Sequence, residues 1–282
     1  MTSLSNLKIS FIGGGNMASA LIGGLIQQGA QASNIFVADP FAGTRARLNS
    51  EFGLVAKENS ASLSGEIQIS DVLVLAVKPQ QFKEAAIELQ PVLAACQRKP
   101  LCLSVAAGIR TQDMSRWLKH ERLIRAMPNT PALIGLGMTG LFASPAASKE
   151  DQAHAERICS AVGKITWVDN EKQIDDITAV SGSGPAYVFA FLEALEKAGI
   201  AQGLTTDQAR LLASQTVLGA ATLATQSTDT PAVLREKVTS KGGTTYAALQ
   251  VLEQEQWANI LGEAIAAASA RGKEMGEEFG KD

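Results

Sequence analysis

Short apolar runs separated by glycine, proline and polar residues occupy the first 168 positions, and alanine-rich helical patterns occupy the remainder. Ile9–Ile12, Ile35–Ala38 and residues 72–77, 101–105 and 123–126 each read as a strand. The run at 72–77 is apolar on both alternating sets, which predicts a central parallel strand covered on both faces. Lys78-Pro79, Ala106-Ala107-Gly108 and Met127-Pro128-Asn129-Thr130-Pro131 stop three of these runs. A ligand rim at the carboxyl edge of the sheet and ordinary strand punctuation both account for those stops. Residues 150–162 predict a helix and residues 165–168 a last short strand, while the polar connection from Asn59 to Asp71 carries no clear period.

After residue 168 the strand signals vanish, which sets an expected boundary between residues 1–168 and 169–282. Ser181-Gly182-Ser183-Gly184-Pro185 opens a helix that Tyr187, Val188, Phe189, Phe191, Leu192 and Leu195 make apolar nearly all round. Such a helix is expected to be buried, with Gly199 as its end. Thr205-Thr206-Asp207-Gln208 has the form of a capping box. Trp257, Ile260, Leu261, Ala264, Ile265 and Ala268 form a stripe at helical spacing. This much apolar helical surface predicts a partner subunit.

The first strand runs into Gly13-Gly14-Gly15-Asn16-Met17-Ala18, and a helix ending at Gly29 follows. Gly13, Gly15 and Ala18 occupy the three small-residue positions of the G-x-G-x-x-G/A fingerprint. The first permits a tight turn, the second lets a pyrophosphate approach the backbone, and the third lets helix and strand pack closely. Asp39 stands about 20 residues further on, where an acid accepts from an adenine ribose 2′-OH. Arg45 and Arg47 follow, either as partners of a 2′-phosphate or as a solvated helix face, the latter reading favoured for Arg47. The second half offers Val238-Thr239-Ser240-Lys241-Gly242-Gly243-Thr244-Thr245 between two helical runs. Two glycines, four hydroxyls and a helix start suit a small carboxylate; an ordinary capped helix–turn–helix is the competing reading.

Composition narrows the chemistry. The 282 residues carry a net charge of −3, with 46% apolar and 19% charged residues, so nothing recommends nucleic acid or an anionic membrane as partner. Cys96, Cys102 and Cys159 form no C-x-x-C pair, and the N-terminus runs directly into the first strand; both features predict a cytoplasmic protein with reduced thiols and no leader. No cluster has metal-ligand spacing. His120 and His154, the only histidines, lie outside the glycine-rich and strand-end segments and are expected at the surface. With no evident histidine acid, a cyclic imine whose nitrogen arrives protonated is an attractive substrate.

The chain resembles pyrroline-5-carboxylate reductases over essentially its whole length. The matching segments are residues 11–18, Ala76-Val77-Lys78-Pro79, Met127-Pro128-Asn129-Thr130-Pro131, residues 181–187 and residues 234–245. The resemblance implies an α/β Rossmann domain, a doubly wound and mostly parallel sheet, followed by an all-α dimerisation domain. It implies reduction of 1-pyrroline-5-carboxylate to L-proline by hydride transfer from NADPH, with NADH also plausible, in homodimers that often assemble into decamers. By position it implies cofactor contacts at Ile12, Gly13, Gly14, Gly15, Asn16, Met17, Asn59, Ala76, Val77, Lys78, Pro79, Val105, Ala106 and Ala107, beside Asp39. Glu171, Val238, Ser240, Thr244 and Thr245 match the substrate side, with Thr245 expected to hydrogen-bond the ring nitrogen. Lys241 stands where the family usually has proline. Two alternatives remain at this level: a 3-hydroxyacid-type dehydrogenase, which needs a proton-relaying lysine, and a non-catalytic NADP-binding sensor.

Overall fold

A computed structural model describes residues 4–281. The chain divides into two compact units: residues up to Ser183 together with those from Ala268 onward, and residues Gly184–Ala267.

The first unit is built on one seven-stranded sheet. Its strands are β1 (Ile9–Ile12), β2 (Ile35–Ala38), β3 (Val72–Leu75), β4 (Leu101–Ser104), β5 (Leu123–Met127), β6 (Gly137–Ala143) and β7 (Gly163–Trp167), in the order β2-β1-β3-β4-β5-β6-β7. β1 to β5 are parallel, with Ile9 opposite both Ile35 and Val72. β6 runs antiparallel to β5, and β7 parallel to β6. Lys57 makes a single parallel bridge to Ala38 outside β2. The order is therefore the doubly wound 3-2-1-4-5-6 arrangement with its third strand shrunk to one bridge. The strand order reverses between β1 and β3, and ligands bind in such sheets beyond the carboxyl ends at that point.

Helices cover both faces: α1 (Asn16–Gln27) and α6 (Lys149–Ser160) on one side, and α3 (Ser64–Ile69), α4 (Pro79–Ala95) and α5 (Thr111–Leu118) on the other. α2 (Ala42–Phe52) follows β2. The strand alternation divides the apolar residues between two cores. Val72 and Val74 join Phe11, Leu21 and Ile22, whereas Leu73 and Leu75 join Phe82, Leu89 and Met114. The expected central strand at 72–77 is present, with all four residues of β3 buried. It stops at Leu75, and Pro79 opens α4 as its first residue, where its missing N–H costs nothing, so the proline starts a helix and does not end the strand. The patternless connection after Asn59 contains α3. β6 escaped the sequence reading because Gly137 and Gly140 interrupt its apolar pattern; a Cβ on Gly140 would lie 2.7 Å from Ile177 Cδ1.

Two short helical segments, α7 (Gln173–Ile177) and a π-turn at Thr178–Gly182, complete this part of the first unit. Arg125, buried on β5, binds Asp175 Oδ1 at 3.1 Å and Glu171 Oε1 at 3.4 Å, tying α7 and the turn before it to the sheet.

The second unit contains α8 (Gly184–Ala201), α9 (Thr206–Gln226), α10 (Pro231–Lys237), α11 (Thr244–Gln254) and the first half of α12 (Trp257–Phe279). The capping box is formed: Thr205 and Gln208 exchange side-chain and backbone hydrogen bonds at the start of α9. The expected burial of α8 is not met within the chain. None of its residues is buried, and Phe189 is 63% exposed. Gly199 lies inside the helix, facing Ala209 and Leu204, and the left-handed residue that follows the helix is Gly203, with φ +98°. Leu211 on α9 is 69% exposed, and Trp257 and Ile260 of the α12 stripe are exposed as well.

Both histidines are buried, His120 at 1% and His154 at 3% exposure, contrary to the surface positions expected. His154 shares the inward face of α6 with Asp151, Ala155 and Ile158, a helical spacing that the surrounding charged residues mask in the sequence. His120 follows the left-handed turn at Lys119 that ends α5 and leads back into the sheet. Burial, reinforced by the Lys99 charge, lowers the His120 pKa from its ordinary 6.5. Burial also lowers that of His154, against the opposing pull of Asp71. The unfolded chain therefore takes up these protons first, so stability is fully present above about pH 6.5 and falls as the pH drops below it. In urea denaturation between pH 7.5 and 5.5, the midpoint should decline on acidification, and His120→Leu should flatten that decline.

Candidate functional site

The tips of three strands meet at the glycine turn. Gly13 N donates to Ala38 O at 2.8 Å, and Ala76 N donates to Ile12 O at 2.8 Å. Gly13 has φ +94°, and a Cβ there would lie 2.6 Å from Ala76 O, so both the turn and the packing exclude any side chain. Gly15 is different. A Cβ on it would meet nothing within 4 Å, so packing within the chain makes no demand for glycine there. Gly15 is also the N-cap of α1 and has no side-chain cap, which leaves the first-turn N–H groups without a side-chain partner. A glycine that the protein does not need and an uncapped helix start together fit a phosphate group brought against the backbone.

A cavity of about 550 Å³ opens at this point, at the switch between β1 and β3. Of the cofactor positions expected from sequence, Ile12, Gly13, Gly15, Asp39, Asn59, Ala76, Val77 and Lys78 line it. Gly14, Asn16, Met17, Pro79, Val105, Ala106 and Ala107 do not. Asn16 is the first residue of α1 and lines a neighbouring groove; Met17 packs against the first core. Pro79 begins α4, and residues 105–107 form the turn beyond β4, with Ala106 N held by Ser104 Oγ at 3.2 Å. Asn59 is exposed, and its Oδ1 accepts from Ser62 N at 2.9 Å, closing a turn at the cavity edge.

Asp39 is buried, and both its oxygens are taken: Oδ2 accepts from Gly14 N at 2.8 Å and Oδ1 from Phe41 N at 2.9 Å. The carboxylate thus fixes the glycine turn to the turn after β2. Arg45 Nη1 caps the same turn through the carbonyls of Asp39 and Pro40. Arg47, favoured from sequence as a solvated side chain, folds back and donates to Gly14 O at 2.9 Å. Nothing in the spacing of Arg47 from Asp39 signals that contact. Phe41, Thr44, Glu58, Gln81, Glu84 and Glu88 also line the cavity and were not anticipated.

Glu171 is held within the first unit. Its Oε1 accepts from Thr111 N and its Oε2 from Thr111 Oγ1, both at 2.7 Å, and Arg125 supplies a third contact. The carboxylate caps the uncapped start of α5.

In the second unit, the loop between α10 and α11 holds the remaining candidates by itself. Thr239 Oγ1 is spent on Arg235 O at 2.6 Å. The hydroxyls of Ser240, Thr244 and Thr245 have no hydrogen-bond partner among the described residues. Gly243 is the N-cap of α11 without a side-chain cap, and a Cβ on it would lie 2.6 Å from Ser240 Oγ. Val238 and Lys241 are exposed. Three free hydroxyls and an uncapped helix start form one donor-rich surface.

No group of three or more His, Cys, Asp or Glu side chains is placed to hold a metal among the described residues. Burial pushes the Cys159 thiol up to about 12 and raises that of Cys102, so neither supplies a thiolate.

The double use of Asp39 has a measurable consequence. Asp39→Ala should unfasten the glycine turn, and each lost charge-assisted bond is worth about 1.5–3 kcal/mol. Affinity for NADH and NADPH should therefore fall together, by at least about tenfold, in a fluorescence titration. A change in one affinity alone would show that the carboxylate acts only on the ribose.

Comparison with known proteins places the chain in a family. A family model described as pyrroline-5-carboxylate reductase dimerisation matches residues 171–275, and one described as NADP oxidoreductase, coenzyme F420-dependent, matches residues 8–108. A pyrroline-5-carboxylate reductase of Pseudomonas aeruginosa is 43% identical over 279 residues, 99% of this chain and 100% of that protein. The structure of a pyrroline-5-carboxylate reductase from Coxiella burnetii is similar with a TM-score of 0.89 and 40% identity, over 95% of this chain and 98% of that one. A pyrroline carboxylate reductase of Plasmodium falciparum, solved with NADP bound, follows at a TM-score of 0.84 and 28% identity, over 97% of this chain and 100% of that one. The mostly parallel sheet domain and the helical unit are thus the two parts of a known fold, and the chain belongs to the pyrroline-5-carboxylate reductase family.

Proposed function

We propose that this protein reduces 1-pyrroline-5-carboxylate to L-proline with NADPH, accepting NADH as well, as the last step of proline synthesis. Kinship over the full length of both chains supports the reaction. The observation that carries the substrate assignment is the donor surface at residues 240–245, with three unengaged hydroxyls beside an uncapped helix start. The nicotinamide dinucleotide supplies a hydride when bound.

In this reading residues 1–168 form the dinucleotide domain, and 169–282 the dimerisation and substrate domain. Gly13, Gly14 and Gly15 with the start of α1 hold the pyrophosphate. Ile12, Asn16, Met17, Asp39 and Asn59 lie along the adenosine half, and Ala76, Val77, Lys78, Pro79 and residues 105–107 along the nicotinamide half. Val238, Ser240, Thr244 and Thr245 receive the substrate, and the N–H groups at the start of α11 take its carboxylate. Thr245 Oγ1 orients the ring nitrogen. Glu171 acts through Thr111 and Arg125, which occupy its oxygens. Rate acceleration comes from proximity and orientation.

We place the reaction in the cytoplasm, where the three free cysteines stay reduced. No helix among the described residues is long and apolar enough to cross a membrane.

The exposed apolar faces of α8, α9 and α12 are the surface of a homodimer, with a decamer as the next level of assembly. Light scattering at micromolar concentration should give at least twice the chain mass. A folded, active monomer would leave these faces unexplained.

Thr245→Val keeps shape and removes the hydroxyl. It should raise the barrier by roughly 1.5–3 kcal/mol, one to two decades in kcat/KM for pyrroline-5-carboxylate. NADPH affinity and Tm should hardly move. Steady-state oxidation of NADPH, run beside a panel of hydroxy and keto acids, checks both the substrate and the residue; parental turnover by the variant would leave the loop an ordinary helix–turn–helix connection with no part in the substrate site.

A further inference from the structure

The turn beyond β4 and the start of α5, residues 105–111, are gripped from two sides. Glu171 holds one side through both polar atoms of Thr111. The last turns of α12 hold the other. Gly108 has φ +73°, and a Cβ there would lie 3.1 Å from the Phe279 ring and 3.4 Å from Met275 Cβ. Gly276 is buried, and a Cβ on it would lie 2.9 Å from Arg110 Nε. Arg116 on α5 donates to Gly280 O at 2.7 Å, next to the Asp113 carboxylate. Phe279 also packs against the core formed by α4, α5 and β3. One glycine on the turn, Gly108, faces Phe279 and Met275, and one on α12, Gly276, faces the Arg110 side chain, so the two segments meet where little side-chain bulk separates them. This is close packing on a turn, not the loose end of a chain.

The placement of that turn gives the contact its meaning. Val105 N donates to Leu75 O at 3.1 Å, so the turn starts level with the tip of β3, whose continuation, Ala76 to Lys78, lines the cavity. We propose that the chain end formed by the last turn of α12 and Gly280, residues 275–280, is a positioning element for the nicotinamide: it holds the turn at 105–110 at a fixed height beside the tip of β3, with Phe279 as its key residue. This rests on the reading, given above, that residues 105–107 lie along the nicotinamide half. Displacement of that turn alters the angle and distance of hydride transfer, which reactions relying on orientation feel steeply.

The test separates positioning from mere support. Phe279→Ala should lower kcat for pyrroline-5-carboxylate about tenfold, with KM for NADPH changed less than twofold, and should shift the emission of bound NADPH measured without substrate. Phe279→Leu, which refills most of the space, should recover kcat to within about threefold of the parent. If Phe279→Ala does not fold, Arg116→Gln, which removes the tie to Gly280 together with the Asp113 ion pair on α5, is read in the same way and should show a smaller loss. Unchanged kcat per folded molecule and unchanged NADPH emission, with only Tm lowered, would overturn the proposal. If the parent fails to turn over pyrroline-5-carboxylate, the substrate reading falls, and the emission comparison alone still decides the role of Phe279.

Discussion

Everything at the cofactor end depends on the absence of a side chain at Gly13. The chain leaving β1 passes so close to Ala76 that a Cβ would sit 2.6 Å from its carbonyl. That approach lets Gly13 N reach Ala38 O, and it puts Gly14 N within reach of Asp39. β1 and β2 are thereby joined at their carboxyl tips by hydrogen bonds that the turn donates, and Ala76 N, beyond β3, donates to Ile12 O beside them. The next element, α1, then starts directly over the switch point with its N–H groups unspent. Steric exclusion at one residue thus produces the cradle two residues later, and the sheet carries it as a rigid feature.

Asp39 shows how the same constraint reshapes an expected role. An acid at the tip of β2 reads, from spacing, as a ribose ligand. In the fold it still lines the cavity, but its two oxygens hold the backbone of both flanking turns. Arg45 and Arg47 act likewise, on the carbonyls of Asp39, Pro40 and Gly14. The polar groups at this edge bind the protein to itself first, so a ligand meets a prearranged surface with little reorganisation left to make.

Much of this was legible in the sequence because the physics is local. Strands buried on both faces read as continuous apolar runs, and β3 matches that pattern. Turns that demand glycine, and capping boxes such as Thr205–Gln208, also announce themselves within a few residues. What escaped depends on distant partners. β6 is held by β5 and β7 and not by its own glycine-broken pattern. The contacts of Arg47 with Gly14 and of Glu171 with Thr111 span 33 and 60 residues. The α8 pattern was read as apolar all round and in need of a partner subunit, and within the chain no residue of α8 is buried. Periodicity reports that a face wants cover, not which chain provides it.

The buried histidines bear on the kind of carbonyl equivalent the site can reduce. Hydride addition to a ketone generates an alkoxide, and an efficient enzyme supplies it with a proton, most often from histidine. Here His120 and His154 lie within the sheet unit, and burial lowers both pKa values, so each is held neutral near pH 7 and away from solvent. Neither lines the cavity at the β1–β3 switch. A cyclic imine makes no such demand: its nitrogen can enter protonated, and hydride addition then gives a neutral amine directly. The hydroxyls of Ser240, Thr244 and Thr245 are suited to that task because they can orient a nitrogen or a carboxylate without titrating near neutral pH. The absence of a histidine from the cavity lining is thus compatible with reduction of an imine, which makes no call for one.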